Sequence, residues 1–164
     1  MSTYSYASSH PREFNAIQDF YSNYMETLDD ERINEWPDFF TEKCLYKIIS
    51  RENYDENSSL CLIQAEGKGM LDDRVLGILK TQKFGPQRSR RFNSGLKISQ
   101  ISNGLIHTRQ NVLVIQSLLD RTSSILLCGS AYDQLFWEGE NLLLKQRIVV
   151  ADTDVIDHAL IFPI

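Results

Sequence analysis

Leu105-Ile106-His107-Thr108-Arg109-Gln110-Asn111-Val112-Leu113-Val114-Ile115-Gln116-Ser117-Leu118-Leu119 is the stretch that decides the fold. It is too long and too rich in β-branched residues for a buried helix turn, and it reads as a long strand. Asn103-Gly104 stands immediately before it, the pair that suits a two-residue hairpin whose central residues both need positive φ. Upstream of that turn, Phe92 to Ile101 alternates in polarity. Downstream, Asp120-Arg121-Thr122-Ser123 leads into a second long apolar strand, Ile125 to Trp137. Glu138-Gly139-Glu140-Asn141 then turns the chain into Leu142 to Ala151, and Ile161 to Ile164 is expected to form a last short strand. From about Arg91 onward the chain is therefore a run of antiparallel strands. Val112, Val114 and Leu118 alternate with Leu113, Ile115 and Leu119, so both faces of the central strand are apolar. Either the sheet curls enough to bury both faces within one chain, or another subunit covers the second face.

The first half of the chain has the other period. His10 precedes Pro11, which suits the first position of a helix, and Glu13 sits in the first turn near the positive end of the dipole. Phe14, Ile17, Tyr21, Tyr24 and Leu28 recur at three- and four-residue steps and mark one face. Asp29 and Asp30 end that helix and are placed to cap a short one after it. Pro37 disfavours helical geometry at Trp36, so a break or a new helical turn is expected there. Trp36, Phe39 and Phe40 form an aromatic plug, and Cys44 to Ile49 has strand character. Residues 50–59 read as a polar loop, and Leu60 to Ala65 as a short strand. A further helix is expected from about Gly69 to Lys83. Its inner face would be Leu71, Val75, Ile78, Leu79 and Gln82, with Asp72 and Asp73 in its first turn and Lys80 and Lys83 in its last. Gly85-Pro86 stops it. Helices first and strands second predict an α+β fold, with the helices packed on one face of the sheet.

The chain has 164 residues, of which 42% are hydrophobic and 24% charged, enough for one domain with a substantial core. We expect a single domain over 1–164, with 1–9 loose. The formal net charge of -5 gives no support for nucleic-acid binding, which needs a basic face. The one basic cluster, Arg88, Arg90 and Arg91, reads as a solvated or subunit-facing turn. No apolar run reaches the length of a membrane span and no secretory signal opens the chain, so no membrane partner is expected. Cys44, Cys61 and Cys128 are far apart and flanked by apolar residues. They read as reduced, buried side chains of a cytoplasmic protein.

A search for catalytic chemistry finds little. His10, His107 and His158 are the only histidines. No cysteine lies near one, whereas a Rieske centre needs two Cys-His pairs. A non-haem iron site needs two histidines and a carboxylate. His158 beside Asp157 and Asp154 is the one place to look, and it has no second histidine. No nucleophile elbow occurs. Gly67-Lys68-Gly69 opens a helix but lacks the rest of a phosphate-cradling loop. Asp73, Arg74, Arg91, Asp133, Arg147 and Asp152 lie within or next to apolar segments. Such groups serve either as ion pairs fixing the geometry of helix, sheet or subunit, or as buried general bases; the first role is the commoner. No catalytic, cofactor-binding or metal-binding residue is assigned.

The same residues carry a family resemblance. Trp36-Pro37-Asp38-Phe39-Phe40-Thr41-Glu42-Lys43-Cys44-Leu45-Tyr46, after the first helix, resembles the opening of the β subunits of bacterial Rieske-type aromatic-ring-hydroxylating dioxygenases. Gly69-Met70-Leu71-Asp72-Asp73-Arg74-Val75 is similar to their third helix, and Arg91-Phe92-Asn93 to the start of their main sheet. Gly129-Ser130-Ala131-Tyr132-Asp133 and Leu142-Leu143-Leu144-Lys145-Gln146-Arg147-Ile148-Val149-Val150-Ala151-Asp152 resemble their last two long strands. The likeness runs from about residue 14 to Pro163. It implies a curved antiparallel sheet wrapped with N-terminal helices into a cone, of the nuclear-transport-factor-like and cystatin-like kind. It also implies an α3β3 assembly. There the Rieske [2Fe-2S] cluster and mononuclear Fe(II) belong to the α subunit, and electrons come from NADH through a reductase, sometimes with a ferredoxin. The β subunit of such an enzyme supports the α trimer. The aromatic-acid branch (salicylate, terephthalate, anthranilate or benzoate) is the nearest, with salicylate 5-hydroxylase and terephthalate dioxygenase in front. The same cone also serves isomerases and cyclases that act alone. That second reading predicts a deep pocket holding an isolated acid or base, with Asp38, Asp73 and His107 as its first candidates.

Overall fold

The computed structural model describes residues 11–80, 87–156 and 160–164. The expected features at His10, Gln82, Lys83, Gly85-Pro86, Asp157 and His158, and the loose first nine residues, lie outside them. Helix α1 spans Pro11–Asp29 with Glu13 in its first turn. Its buried stripe is Ile17, Phe20, Tyr21, Tyr24 and Leu28, while Phe14 is only half-buried. A 3₁₀ helix, Ile33–Phe39, follows and contains Pro37. Its tighter ring closes with the Phe40 N–H donating to the Pro37 carbonyl. The predicted aromatic plug is present. Trp36 packs edge-on against Phe40 at 5.5 Å and Tyr46 at 5.0 Å between ring centres, and Phe39 meets Phe20 and Tyr24 in the same way. Asp29 and Asp30 do not cap this helix; Arg32 stands at its N-cap without a side-chain cap bond. The Asp29 carboxylate turns instead to Arg91.

Strand β1 is Phe40–Ser50. The polar stretch after it is not all loop. Ser50 caps a short helix α2, Arg51–Asp55, by accepting from the Asn53 N–H at 3.3 Å. Strand β2 is Ile63–Glu66, and helix α3 runs from Lys68 to Lys80. Because α3 begins one residue earlier than expected, Asp72 and Asp73 fall in its second turn. Leu71, Val75 and Ile78 face inward, but Leu79 is 58% exposed. The long strands are β3 Gln87–Ser102, β4 Leu105–Leu118, β5 Ser124–Glu138 and β6 Asn141–Ala151. The β3–β4 turn has Asn103 at φ 52 and Gly104 at φ 76, as the Asn-Gly signal requires.

The six strands form one sheet in the order β2-β1-β6-β5-β4-β3. β3 to β6 is the expected antiparallel meander, but β1 joins β6 in parallel. The sheet is therefore mixed. Parallel neighbours need a long crossover, and everything from α2 to β5 supplies it. Residues on one face line up in rows across the strands. Ile106, Leu135 and Leu144 make one. Gln110, Ala131, Val149, Ile48 and Ile63 make another. Those rows face α1 and form the core. On the other face Leu113 and Ile115 are half-buried, and Phe92 and Ile125 are 53% and 65% exposed; Leu119, in the turn after β4, is 83% exposed. The curl of the sheet thus buries one face only. Cys128 lies on the open face opposite Leu113 and is exposed, so of the three free thiols only Cys44 is buried.

Ile161–Ile164 forms no strand. Its backbone groups are met by side chains instead. Arg74 donates to the carbonyls of Leu160 and Ile161, Arg91 to that of Pro163, and Arg147 and Tyr24 to that of Ile164. The Ile164 N–H donates to the Tyr46 hydroxyl at 2.8 Å. A buried segment needs such partners when no ladder provides them. No described helix is long and apolar enough to cross a membrane.

Candidate functional site

The centre of the cone is a third row across the sheet: Thr108, Asp133, Arg147, Tyr46 and Ala65 on five successive strands. Alternation places all five inward, and α1 closes over them with Tyr21 and Tyr24. Arg147 Nη1 donates to Asp133 Oδ2 at 2.7 Å, with both side chains essentially without solvent contact. The Tyr21 hydroxyl donates to the same oxygen at 2.9 Å and also bonds Thr108. The guanidinium lies over the Tyr24 ring, 4.7 Å from its centre. Trp36 Nε1 donates to the Tyr24 hydroxyl at 2.9 Å.

Burial pushes the Asp133 carboxyl above the ordinary aspartate range, and Arg147, Tyr21 and Gln110 oppose that rise. Burial alone would lower Arg147, but the field of Asp133 outweighs it and raises the guanidinium further. Burial likewise raises the phenols of Tyr21, Tyr24 and Tyr46. The result is a fixed ion pair roofed by three neutral phenols. An enzyme on this fold needs space for substrate beside its acid or base; here the Trp36 ring and Ile164 occupy that space, each at 1% exposure or less.

The candidates for a stand-alone active site do not come together. Asp38 is largely exposed and paired with Lys68 at 2.9 Å. It borders an open surface groove of about 800 Å³ between α1 and the β5–β6 turn. Asp73 is exposed on α3, and His107 is half-buried on the open face of β4 opposite Gln134. Among the described residues no group of three or more His, Cys, Asp or Glu is placed to hold a metal ion.

The other charged candidates separate by environment. Arg91 is not in a solvated turn: it points inward from β3 and pairs with Asp29 at 2.6 Å, with its side chain 2% exposed. Arg74 holds the 160–164 segment, and Asp152 pairs with Arg51 at 3.1 Å on the surface. Sequence reasoning missed the hydroxyl partners Tyr21, Tyr24, Tyr46 and Thr108, together with Gln110. The available signal was Thr108 and Gln110 at inward positions between Ile106 and Val112. It also missed a cluster on the open face. There Tyr132 stacks on Tyr54 at 5.7 Å, with Arg109 over its ring. Burial would raise the Tyr132 phenol, but Arg109 and Arg51 outweigh it and the group is lowered.

Comparison with known proteins gives this architecture its context. The family model described as the ring hydroxylating beta subunit matches residues 25–158. The chain belongs to this family. As a β subunit it is 30% identical to the anthranilate 1,2-dioxygenase small subunit of Burkholderia cepacia, over 87% of this chain and 89% of that one. It is 24% identical to a terephthalate 1,2-dioxygenase terminal oxygenase β subunit of a Comamonas species, over 90% and 96%. Among solved structures, a chain assigned as the β subunit of an aromatic-ring-hydroxylating dioxygenase from Novosphingobium aromaticivorans superposes with a TM-score of 0.84. The two share 31% identity over 92% of this chain and 95% of that chain. A scytalone dehydratase-like protein of the same organism shares the cone fold alone, at TM-score 0.69 and 20% identity over 93% and 94%. This β subunit is thus the small subunit of an aromatic-ring-hydroxylating dioxygenase and part of a larger enzyme complex.

Proposed function

We propose that this β subunit assembles with a larger catalytic α subunit into an α3β3 oxygenase that hydroxylates an aromatic acid, and that it supplies no catalytic, cofactor-binding or metal-binding residue of its own. The observation that carries the reading is the core row. The one fully buried acid–base pair on the described chain, Asp133 and Arg147, is enclosed by Tyr21, Tyr24 and Ile164. A Rieske cluster needs paired Cys and His ligands. Cys44, Cys61 and Cys128 have no histidine beside them in the sequence, so this chain does not fit the group. The cluster and the mononuclear iron are assigned to the α subunit, with electrons delivered from NADH by a reductase or ferredoxin. The aromatic-acid substrate rests on the anthranilate and terephthalate relatives. A cytoplasmic location belongs to the same reading.

The test is native mass spectrometry with metal analysis on the tagged chain, purified gently from its own cells. The expected result is a complex with equal amounts of a larger protein that carries iron and acid-labile sulfide. That complex, supplied with a reductase, should consume O2 with anthranilate, terephthalate, salicylate or benzoate. A metal-free monomer or homodimer without a large partner overturns the proposal.

A further inference from the structure

Charge is unevenly spread over this molecule. The formal net charge is -5, yet β3 and β4 contain no Asp or Glu. β5 and β6 hold only Asp133, answered by Arg147, and Glu138 at their turn. Strand alternation sends Arg88, Arg90 and Lys97 of β3 and Arg109 of β4 to the open face, where all four are exposed. Arg88, Lys97 and Arg109 have no ion-pair partner among the described residues. Arg90 reaches only Asp29, at 3.9 Å, and Arg91 already holds that carboxylate. The face between these cations is apolar, with Phe92 opposite Leu113 and Arg90 opposite Ile115. An uncompensated positive surface with apolar patches is complementary to a surface that is acidic and apolar.

The chain carries such a surface itself. The groove of about 800 Å³ between α1 and the β5–β6 turn is lined by Asp19, Glu35, Asp38, Glu42, Glu138 and Glu140, against the single cation Lys68. Lys68 pairs with Asp38, and Arg32 with Glu35. The other four carboxylates have no ion-pair partner among the described residues. The apolar part of the groove is Trp137, 37% exposed, with Phe20, Phe39 and Leu142. A half-exposed Trp within a charged rim is the kind of side chain that anchors protein interfaces.

The two surfaces lie on opposite sides of the sheet. Helix α1 packs on the inner face, whereas the four cations project from the other, and none of them pairs with a carboxylate of the groove. One copy cannot bring the two together, but two copies can. Because the surfaces differ, such a contact is head to tail. It leaves a free groove on one copy and a free face on the other, so repetition closes a ring or runs on as a filament.

We propose that copies of this chain bind one another head to tail, the groove beside Trp137 of one copy taking the Arg88 and Arg90 side of the next copy's open face. Closure of the ring at three rests on the α3β3 reading, whereas the contact itself rests on the two surfaces.

The experiment is sedimentation velocity on the isolated full-length chain, read together with tryptophan emission. Trp36 is fully buried, so a change in emission reports Trp137. Trimers are expected at low salt, with emission moving to the blue as they form. Raising NaCl from about 0.1 M to about 1 M shortens the reach of charges from about 10 Å to about 3 Å and should weaken association about tenfold or more. Arg88→Glu with Arg90→Glu disables the face, and Trp137→Ser with Glu138→Gln disables the groove. Each double variant alone should be a monomer of unchanged circular dichroism. Mixed in equal amounts, they should form a one-to-one pair and nothing larger, because each keeps the surface that the other lacks. A chain that stays monomeric, a symmetric dimer, association indifferent to salt, or a mixture of the two variants that remains monomeric each overturns the proposal. Should a variant not fold, the salt series and the Trp137 emission of the unaltered chain decide by themselves. A chain that draws its iron-bearing partner from cells but never binds itself loses this contact and keeps the assembly role. One that forms the salt-sensitive ring yet has no large partner keeps the contact and loses that role.

Discussion

Arg147 is the side chain on which the interior depends most. It answers Asp133, lies on Tyr24 and holds the carbonyl of Ile164. Replacing it by Met leaves an uncompensated carboxylate in the core, and breaking a buried pair in this way costs about 3–5 kcal/mol. Urea unfolding of Arg147→Met should show that loss, while the double change Asp133→Leu with Arg147→Met should recover a large part of it. A double variant no more stable than the single one would mean that the pair does not act as a unit. Both residues stood out in the sequence as charges inside apolar strands. Their partnership did not, because it arises from the β5–β6 register, which pairs Asp133 with Arg147 across strands. Arg91 teaches the same lesson from the other side. Its neighbours Arg88 and Arg90 suggested a solvated cluster, yet strand alternation sends Arg91 alone inward, to Asp29 and Pro163.

At the scale of the elements, Gly129 on β5 is a position with no room for a side chain. A methyl group there would run into the backbone of Val150 and Ala151 on β6, neither of which can yield. Gly129→Ala should therefore destabilise by roughly 3 kcal/mol or more, read as a fall in the denaturant midpoint. Gly139, at the exposed β5–β6 turn, has open space around it but φ +63. Gly139→Ala should cost only about 1 kcal/mol, and an equal loss at both sites would remove the packing argument. Hairpins and long strands were legible because their signals are local: Asn103-Gly104, Glu138-Gly139, and runs of β-branched residues. The pairing of β1 with β6 was not, since nothing local records a parallel partner so distant in the chain. Helix α2 was passed over because its capping signal rests on a single serine.

The whole molecule carries its buried hydroxyls as a reservoir of pH sensitivity. Tyr21, Tyr24 and Tyr46 have folded pKa values raised above their ordinary value near 10, chiefly by burial. Groups raised in this way contribute stability that is fully present below the unfolded value and lost as pH climbs towards the folded one. Above about pH 10 the unfolded chain releases three protons that the folded chain keeps, so stability should fall by roughly 4 kcal/mol per pH unit. Tyrosine absorbance at 295 nm, followed together with circular dichroism, checks this. Tyr132, lowered by its two arginines, should ionise first and without unfolding, whereas the three buried phenols should appear only as the fold collapses. Smooth ionisation of all tyrosines ahead of any structural change would contradict the enclosed interior described here.

The parallel seam between β1 and β6 also sets a timetable for synthesis. β1 is complete at Ser50, but its neighbour on that side starts at Asn141. At translation speeds of about 5–20 residues per second, a nascent chain waits roughly 5–18 s with β1 unpaired along that edge. Trp36, Phe40 and Tyr46 remain without their sheet during that wait. Closure is a late event, taken when the last long strand leaves the ribosome, and the growing polypeptide must be kept from sticking to its neighbours until then.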